Sequence, residues 1–155
     1  MTPLPTPGLT FFSNLSVQVG SPQTVGQTLR GLRRVIPILG GQVSGEGWAG
    51  RVLPGGADFQ LIFNQTSSEL DARYVIELDG GDLLFVRNHA LRSADPAVMA
   101  RLLRGEPVPH EAVYFRCVPS LETASRTLAW VNDRLFMGTG VRHPDSVQMT
   151  FFSVD

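Results

Sequence analysis

Apolar and polar residues alternate in three strand-length runs between residues 50 and 88, and Gly, Asn or Ser bounds each run. In the first run, Asp58 and Gln60 share one parity and Phe59 takes the other. Successive side chains of a strand point to opposite faces, so each run predicts a strand with one polar and one apolar face. Short runs separated by turn residues are typical of consecutive antiparallel strands.

The second run shows the same alternation with other residues. Asp71 and Arg73 share one parity, whereas Leu70 and Tyr74 share the opposite one. Pairing of these strands would gather carboxylates and an arginine on one face, but a period of two does not say which face points inward. Two interpretations stay open: the polar cluster lines an interior pocket, or it forms ion pairs on the outer wall of the sheet.

The rest of the chain adds one helix and several strands. Asp95 suits the N-cap, Pro96 suits the first helical position and Gly105 suits the residue past the end, which predicts a helix from Asp95 to Arg104. Residues 21–30 are polar and are predicted to form a loop. Further alternating runs predict strands at residues 10–19, 34–39, 112–118, 127–132, 135–142 and 147–154.

Eight or more short strands with one short helix indicate an all-β fold. Because closure removes exposed sheet edges, the predicted architecture is a closed or nearly closed antiparallel β-barrel. The length of 155 residues suits a single domain. We expect residues 1–8 to form a flexible tail and residues 9–155 to form the barrel.

Composition narrows the possible partners and locations. The net charge of -1 gives no electrostatic reason to expect nucleic acid or an anionic membrane as a partner. All 13 basic side chains are arginine, so no lysine is present to form a Schiff base. Cys117 is the only cysteine, which rules out an intrachain disulfide. With no apolar run of signal-peptide or membrane-helix length, we expect a soluble, cytoplasmic protein.

No motif for a metal or an organic cofactor stands out. The three histidines lie far apart in sequence and form no close ligand pair, so no metal site is predicted. Residues 45–50 match the glycine spacing of a dinucleotide-binding loop, but Pro54 and two glycines follow where a helix should begin. We therefore predict that no cofactor is bound.

The polar residues of the strands supply candidate chemistry if they face inward. An internal carboxylate has its pKa raised by desolvation and lowered by a nearby arginine, which is how a general acid or base is tuned. Asp58 or Asp71 would move a proton, and Arg73 or Arg116 would stabilise an oxyanion. Convergent polar groups and aromatic walls suit a small-molecule site, and the ligand-binding candidates are Gln60, Asn88, Tyr114, Trp130 and Asn132.

Five stretches resemble a known family in their order and spacing: residues 52–60, 70–74, 86–88, 114–116 and 138–140. The chain is similar, from about Leu15 to Val154, to the bacterial and fungal family called domain of unknown function 3237 (DUF3237) or uncharacterised protein family UPF0311. The resemblance implies a small, often oligomeric β-barrel without an established cofactor. Fungal members in polyketide pathways imply a role in cyclising aromatic intermediates. The chain departs from the family at Phe59, where Trp is usual, and near Ala90, where Gly is common.

Two functions stay open. One is a cofactor-independent cyclase, isomerase or lyase acting on a small aromatic or polyketide-like substrate. The other is a non-catalytic barrel in which the arginines hold an anionic ligand. Both imply a small-molecule partner. If the polar faces point inward, the apolar faces of several strands need cover, so we expect a homodimer or a larger homo-oligomer.

Overall fold

Ten β-strands, one α-helix and two short 3₁₀ turns make up the computed structural model, which describes residues 1–155. The helix α1 is Pro96–Leu103, and the two turns are His110–Ala112 and Ala129–Asp133. The strands are β1 Leu9–Val19, β2 Gln23–Thr28, β3 Gly31–Gly45, β4 Trp48–Val52, β5 Ala57–Ile62, β6 Ser67–Leu78, β7 Leu83–Ala94, β8 Val113–Thr123, β9 Phe136–Arg142 and β10 Ser146–Val154.

The sheet closes on itself because β1 pairs antiparallel with both β10 and β3. Around the barrel the order is β1, β10, β9, β8, β7, β6, β4 and β3, which makes a closed antiparallel barrel of eight strands. The strand β5 lies end to end with β4 between β3 and β6, and β2 pairs only with β3. The predicted all-β barrel with one short helix is confirmed.

The long strand β3 changes partners half-way along. Its first half pairs with β2 and β5, and its second half pairs with β1 and β4. At the junction Gly41 has a φ of 150° and lies against β1, where a Cβ atom would collide with the carbonyl oxygen of Ser16. Glycine therefore allows the close approach that bends the sheet into a barrel.

Most of the interior is apolar. On β6 the apolar parity points inward, with Tyr74 and Ile76 almost fully buried. The other end of that row, Leu78, belongs to the same hydrophobic core, which also includes part of an aromatic cluster. In this cluster the ring of Phe136 lies 5.0 Å from Phe12 and 5.8 Å from Trp130. Phe12 and Phe136 are buried, whereas Trp130 is 43% exposed, and burial of the two phenylalanine rings contributes hydrophobic stabilisation at this end of the barrel.

The helix α1 is linked by a hydrogen bond to the first half of β3. A side-chain nitrogen of Arg34 in β3 donates to the carbonyl oxygen of Leu103 at the end of α1, at 3.2 Å. The predicted helix is confirmed, with Asp95 and Arg104 as its flanking residues and Gly105 at a φ of 79°. No helix has the length and apolar character that crossing a membrane requires.

Two local predictions were wrong. Residues 21–30 contain strand β2 rather than only a loop, because the first half of β3 offers its free edge there. Residues 127–132 contain a 3₁₀ turn rather than a strand. The side chain of Asn132 accepts from the amide of Thr123 at 2.9 Å and donates to the carbonyl oxygens of Thr123 and Ala129. These bonds hold the 3₁₀ turn against the end of β8. Residues 1–8 precede β1, and their flexibility stays a prediction.

Candidate functional site

A small chamber lies inside the barrel, on the side of the core towards β5. It has a volume of about 40 Å³, enough for a few water molecules, and it is partly open to the surface. Cross-strand partners place Asp58 beside Ala72, and Ala72 beside Asn88. Because Ala72 and Ala90 are small, space is left between the larger side chains of this row. We call this space the inner chamber; its polar lining is Asp58, Tyr74 and Asn88, and its walls include Val19, Phe115 and Met149.

The carboxyl group of Asp58 is the buried acid of this chamber. The side-chain amide of Gln60 donates to one of its oxygens at 2.9 Å, and the backbone N–H of Asp71 donates to the other at 3.1 Å. Burial raises the pKa of Asp58, and the hydrogen bond from Gln60 and the charge of Arg92 offset only part of that rise. Asp58 is therefore a group that takes up a proton more readily than an exposed aspartate.

This raised pKa predicts a sign for the pH dependence of stability. Between the unfolded pKa of about 3.9 and the folded pKa, the folded state binds more protons, so the free energy of unfolding falls as pH rises. Each unit of pKa difference corresponds to about 1.4 kcal/mol. Urea denaturation between about pH 4 and 8 should show this fall in wild type relative to Asp58→Asn. An increase of wild-type stability over the variant with rising pH would contradict the raised pKa.

Several polar atoms near Asp58 have no partner in the protein. They are the hydroxyl of Tyr74, the amide oxygen of Asn88 and the amide oxygen of Gln60. The side-chain nitrogen of Asn88 reaches only the sulfur of Met149, at 3.2 Å. Burial raises the pKa of the Tyr74 phenol, so it stays a hydrogen-bond donor. Buried polar atoms are nearly always paired with protein or water, so these atoms mark a place that a ligand or water occupies.

A second hollow, the outer groove, opens beside the inner chamber. It measures about 310 Å³ and includes Arg34, Leu103 and Arg142 in its lining. Val19 lines both hollows, so the two adjoin one another. Arg92 is also buried near Asp58 and lies over the ring of Phe115, with its guanidinium carbon 5.9 Å from the ring centre. The polar interior therefore combines one carboxyl group with several guanidinium groups.

Gly140 in β9 leaves the space that the Phe115 ring occupies. A Cβ atom at Gly140 would lie 2.8 Å from atoms of the Phe115 ring, closer than real Cβ contacts allow. With hydrogen in that position, the ring packs against β9, borders the inner chamber and supports Arg92. The glycine of this inward-facing row is thus part of the architecture of the site.

Only some of the sequence-predicted residues come together. Asp58, Gln60 and Asn88 are buried on inward faces of their strands. Asp71 and Arg73 lie on the outer wall and form a salt bridge of 3.0 Å, with 33% and 50% of their side chains exposed. The polar parity faces inward on β5 and outward on β6, so the expected joining of Asp58 with Arg73 is not formed.

The remaining predicted residues lie away from the inner chamber. Arg116 and Tyr114 are exposed on the outer wall of β8, where Arg116 stacks over the Tyr114 ring at 5.3 Å. Trp130 packs on Phe12 in the aromatic cluster. Asn132 holds the 3₁₀ turn. In β8 the side chains of Phe115 and Cys117 point inward. Arg116 lies between them in sequence, so its side chain points outward.

Tyr74, Arg34, Arg92 and Arg142 were missed by the sequence reasoning. The sequence pattern could have indicated them, because each occupies an alternate position that points inward in its strand. Arg92 continues the buried row of Leu84, Val86, Asn88 and Ala90. A charged residue in step with such a row is unusual and could have been singled out.

The fold and the interior define a closed antiparallel β-barrel with a small, mostly apolar cavity into which a few polar side chains point. A family model described as protein of unknown function (DUF3237) matches residues 7–154, and the chain belongs to this family. A UPF0311 protein of Rhodopseudomonas palustris is 40% identical over 143 residues, which cover 92% of this chain and 94% of the relative. A UPF0311 protein of Clostridium acetobutylicum is 34% identical over 142 residues, covering 91% and 90%.

Solved structures share the architecture. A conserved protein of unknown function from Rhodopseudomonas palustris has a TM-score of 0.92 at 37% identity, covering 98% of this chain and 100% of its own. A beta-barrel like protein from Acinetobacter baumannii has a TM-score of 0.84 at 26% identity, with full coverage of both chains. An enzyme from Penicillium herquei has a TM-score of 0.74 at 16% identity, covering 100% and 99%, which shows a common fold alone.

Proposed function

We propose that the barrel binds a small organic molecule in the inner chamber and that Asp58 moves a proton on it. The reaction class is a cofactor-independent isomerisation, cyclisation or lyase step on an aromatic or polyketide-like substrate. The observation that carries this proposal is the burial of the Asp58 carboxyl group in one cavity with the unpartnered hydroxyl of Tyr74 and amide oxygen of Asn88. Proton-transfer groups need such a desolvated position within reach of substrate.

The step follows from the chemistry of these groups. The ionised carboxylate of Asp58 takes a proton from the carbon next to a carbonyl group, and the electron pair of the broken C–H bond moves to the carbonyl oxygen. The Tyr74 hydroxyl donates a hydrogen bond to the resulting enolate oxygen. The protonated Asp58 then returns its proton to another carbon or to oxygen, which completes an isomerisation without a cofactor.

The dimensions of the two hollows limit the substrate. The inner chamber has room for a reacting group of a few heavy atoms, whereas the outer groove is several times larger. The carbonyl end of a substrate would therefore enter the chamber, and the remainder would lie in the groove. A ketone-bearing chain of the polyketide-like class has this shape.

Deuterium incorporation into methyl propyl ketone tests the proposal. The wild-type protein in deuterated buffer is expected to exchange the hydrogens next to the carbonyl group faster than buffer alone, as followed by proton NMR. Absence of any acceleration across ketones that bind would contradict proton transfer by Asp58.

A second candidate is a non-catalytic barrel that holds an anionic ligand. The buried guanidinium groups of Arg34 and Arg92 favour it, since arginine binds carboxylates and phosphates through paired hydrogen bonds. Tight binding of an anion without exchange or turnover of any ketone would select this function over the enzyme.

We also propose a homodimer or larger homo-oligomer, located in the cytoplasm, without nucleic acid or membrane partners. Support for assembly comes from Phe59 in β5 and Phe63 just after this strand, which are 39% and 43% exposed. Exposed aromatic side chains close together are more usual at interfaces than on free surfaces. Light scattering at micromolar concentration is expected to give at least twice the chain mass of 16.9 kDa. A monomer mass would contradict the proposed assembly.

A further inference from the structure

Three guanidinium groups lie near enough to influence one another: two line the outer groove, and the third is buried near Asp58. Arg34, Arg92 and Arg142 come from β3, β7 and β9, and we call them the arginine triad. Arg34 and Arg92 are only 6% and 3% exposed, and Arg142 is half-buried. Burial and the charge of Arg142 lower the pKa of Arg34, and burial lowers the pKa of Arg92 to about 10. All three stay cationic at neutral pH.

The protein leaves much of the hydrogen-bonding capacity of the triad unused. Arg34 donates to the carbonyl oxygen of Leu103, but its Nε has no partner. Arg92 contacts the face of Phe115, and its buried Nε also has no partner. A buried Nη1 of Arg142 is likewise unpaired. None of the three forms a salt bridge. Orphaned donors on nearly buried cations are rare in native structures.

The nearby carboxylates do not balance this charge. Asp58 is the one acidic side chain buried with the triad, and its charge favours the charged forms of Arg34 and Arg92. Asp145 interacts with Arg142 from the exposed rim. Glu106 is already paired with Arg104 at 2.9 Å. Three guanidinium groups against two carboxylates leave an excess of one positive charge. Buried charges are stable only when paired, so one negative charge is missing from this site.

We propose that the arginine triad binds the carboxylate of a small organic acid, whose ketone-bearing end reaches Asp58 in the inner chamber. The second half of this assignment rests on the proposed function. A carboxylate carries the single negative charge that the site lacks, and its oxygens suit the donor pairs of guanidinium groups. Val19 borders both hollows, so the groove and the chamber are neighbours, and the proposal places the carboxylate in the groove and the ketone in the chamber.

Levulinate is a suitable probe, because two methylene groups separate its carboxylate from a methyl ketone. Methyl propyl ketone is the neutral counterpart without the carboxylate. Calorimetric titration at low salt is expected to show levulinate binding wild type at least about tenfold more tightly than the neutral ketone. Equal affinity for the two compounds would overturn the anion site. Tighter binding of inorganic phosphate than of levulinate would overturn the assignment to a carboxylate.

Substitutions test whether levulinate binding depends on the arginine triad or only on the overall charge of the protein. Arg92→Met and Arg142→Met are each expected to weaken levulinate binding by at least about tenfold. Arg87→Met is the matched control, because Arg87 lies on the same strand as Arg92 but is exposed on the outer wall. Its affinity should stay within about twofold of wild type. Equal losses in the triad variants and the control, or no loss in either triad variant, would overturn the proposal.

Thermal melting without ligand checks that Arg92 is not simply structural. Arg92 has no salt-bridge partner, so an apolar side chain in its place removes the desolvation cost of a buried charge, and Arg92→Met should melt no lower than wild type. If Arg92→Met fails to fold, the half-buried Arg142→Met decides the question. If the protein binds levulinate more tightly than the neutral ketone but catalyses no deuterium exchange, the anion site is supported and proton transfer by Asp58 is contradicted. If the protein catalyses exchange of both ketones but binds them equally well, proton transfer by Asp58 is supported and the anion site is contradicted.

Discussion

In the Asp58→Asn variant, deuterium incorporation into methyl propyl ketone is expected to fall by about a hundredfold to ten-thousandfold, the usual contribution of a positioned general base. The amide has nearly the same shape as the carboxyl group but cannot accept a proton from carbon. The local hydrogen bonds can persist, since the amide of Gln60 can turn and accept from the new N–H with its otherwise unpartnered oxygen. The loss should therefore appear in the exchange rate rather than in folding.

The matched control is Asp71→Asn, because Asp71 belongs to the neighbouring strand and its carboxylate pairs with Arg73 on the outer wall. Exchange by this variant should stay within about twofold of wild type, as surface ion pairs contribute little. Proton NMR of the ketone under equal protein concentrations gives both rates. If the control lost exchange and Asp58→Asn retained it, proton transfer would have to occur outside the inner chamber.

The two ends of the interior have different energetic roles. At one end, Phe12, Trp130 and Phe136 bury aromatic surface, which stabilises the barrel. At the other end, Asp58 and the arginine triad are buried with unsatisfied donors and acceptors, which costs stability in the absence of ligand. Function and stability commonly compete in this way, and the separation lets the aromatic end offset the cost of the polar end.

Sequence alternation predicted the strands but not their inward faces. The strands β5 and β6 alternate in the same manner, yet β5 turns its polar parity inward and β6 turns it outward. The reason is register: Asp58 pairs with Ala72, and directly opposed residues of neighbouring strands share a face. Asp58 therefore lies on the face of Leu70 and Tyr74, opposite Asp71. A single sequence gives no register, so the choice could not be made from periodicity alone.

The family resemblance helped with the fold more than with the site. The resemblance predicted a β-barrel, which the structure confirms. The motifs that carry the resemblance, however, include residues from both the inner and the outer face of the barrel. Arg116 and Tyr114 belong to one motif and lie outside, whereas Phe115 between them lines the chamber. The arginine triad joins three strands that are distant in sequence, and only closure of the barrel brings these strands together.

Phe136→Ala is expected to lower the free energy of unfolding by about 3–5 kcal/mol, a large share of the 5–15 kcal/mol typical of a domain. Phe136 is 0% exposed, and its ring packs against those of Phe12 and Trp130. Truncation removes buried apolar surface and leaves a cavity that neighbouring rigid rings cannot fill by small movements. Urea denaturation followed by tryptophan fluorescence measures the loss, because Trp130 reports directly on this cluster.

Met137→Ala is the control, because Met137 is the next residue of β9, points outward and is 43% exposed. Its effect should stay within about 0.5 kcal/mol, as for most surface substitutions. Phe136 does not line the inner chamber, so the molecules of Phe136→Ala that remain folded should bind levulinate with wild-type affinity. A loss of stability below about 1 kcal/mol for Phe136→Ala, or one equal to that of Met137→Ala, would mean that the aromatic cluster is not what holds this end of the barrel together.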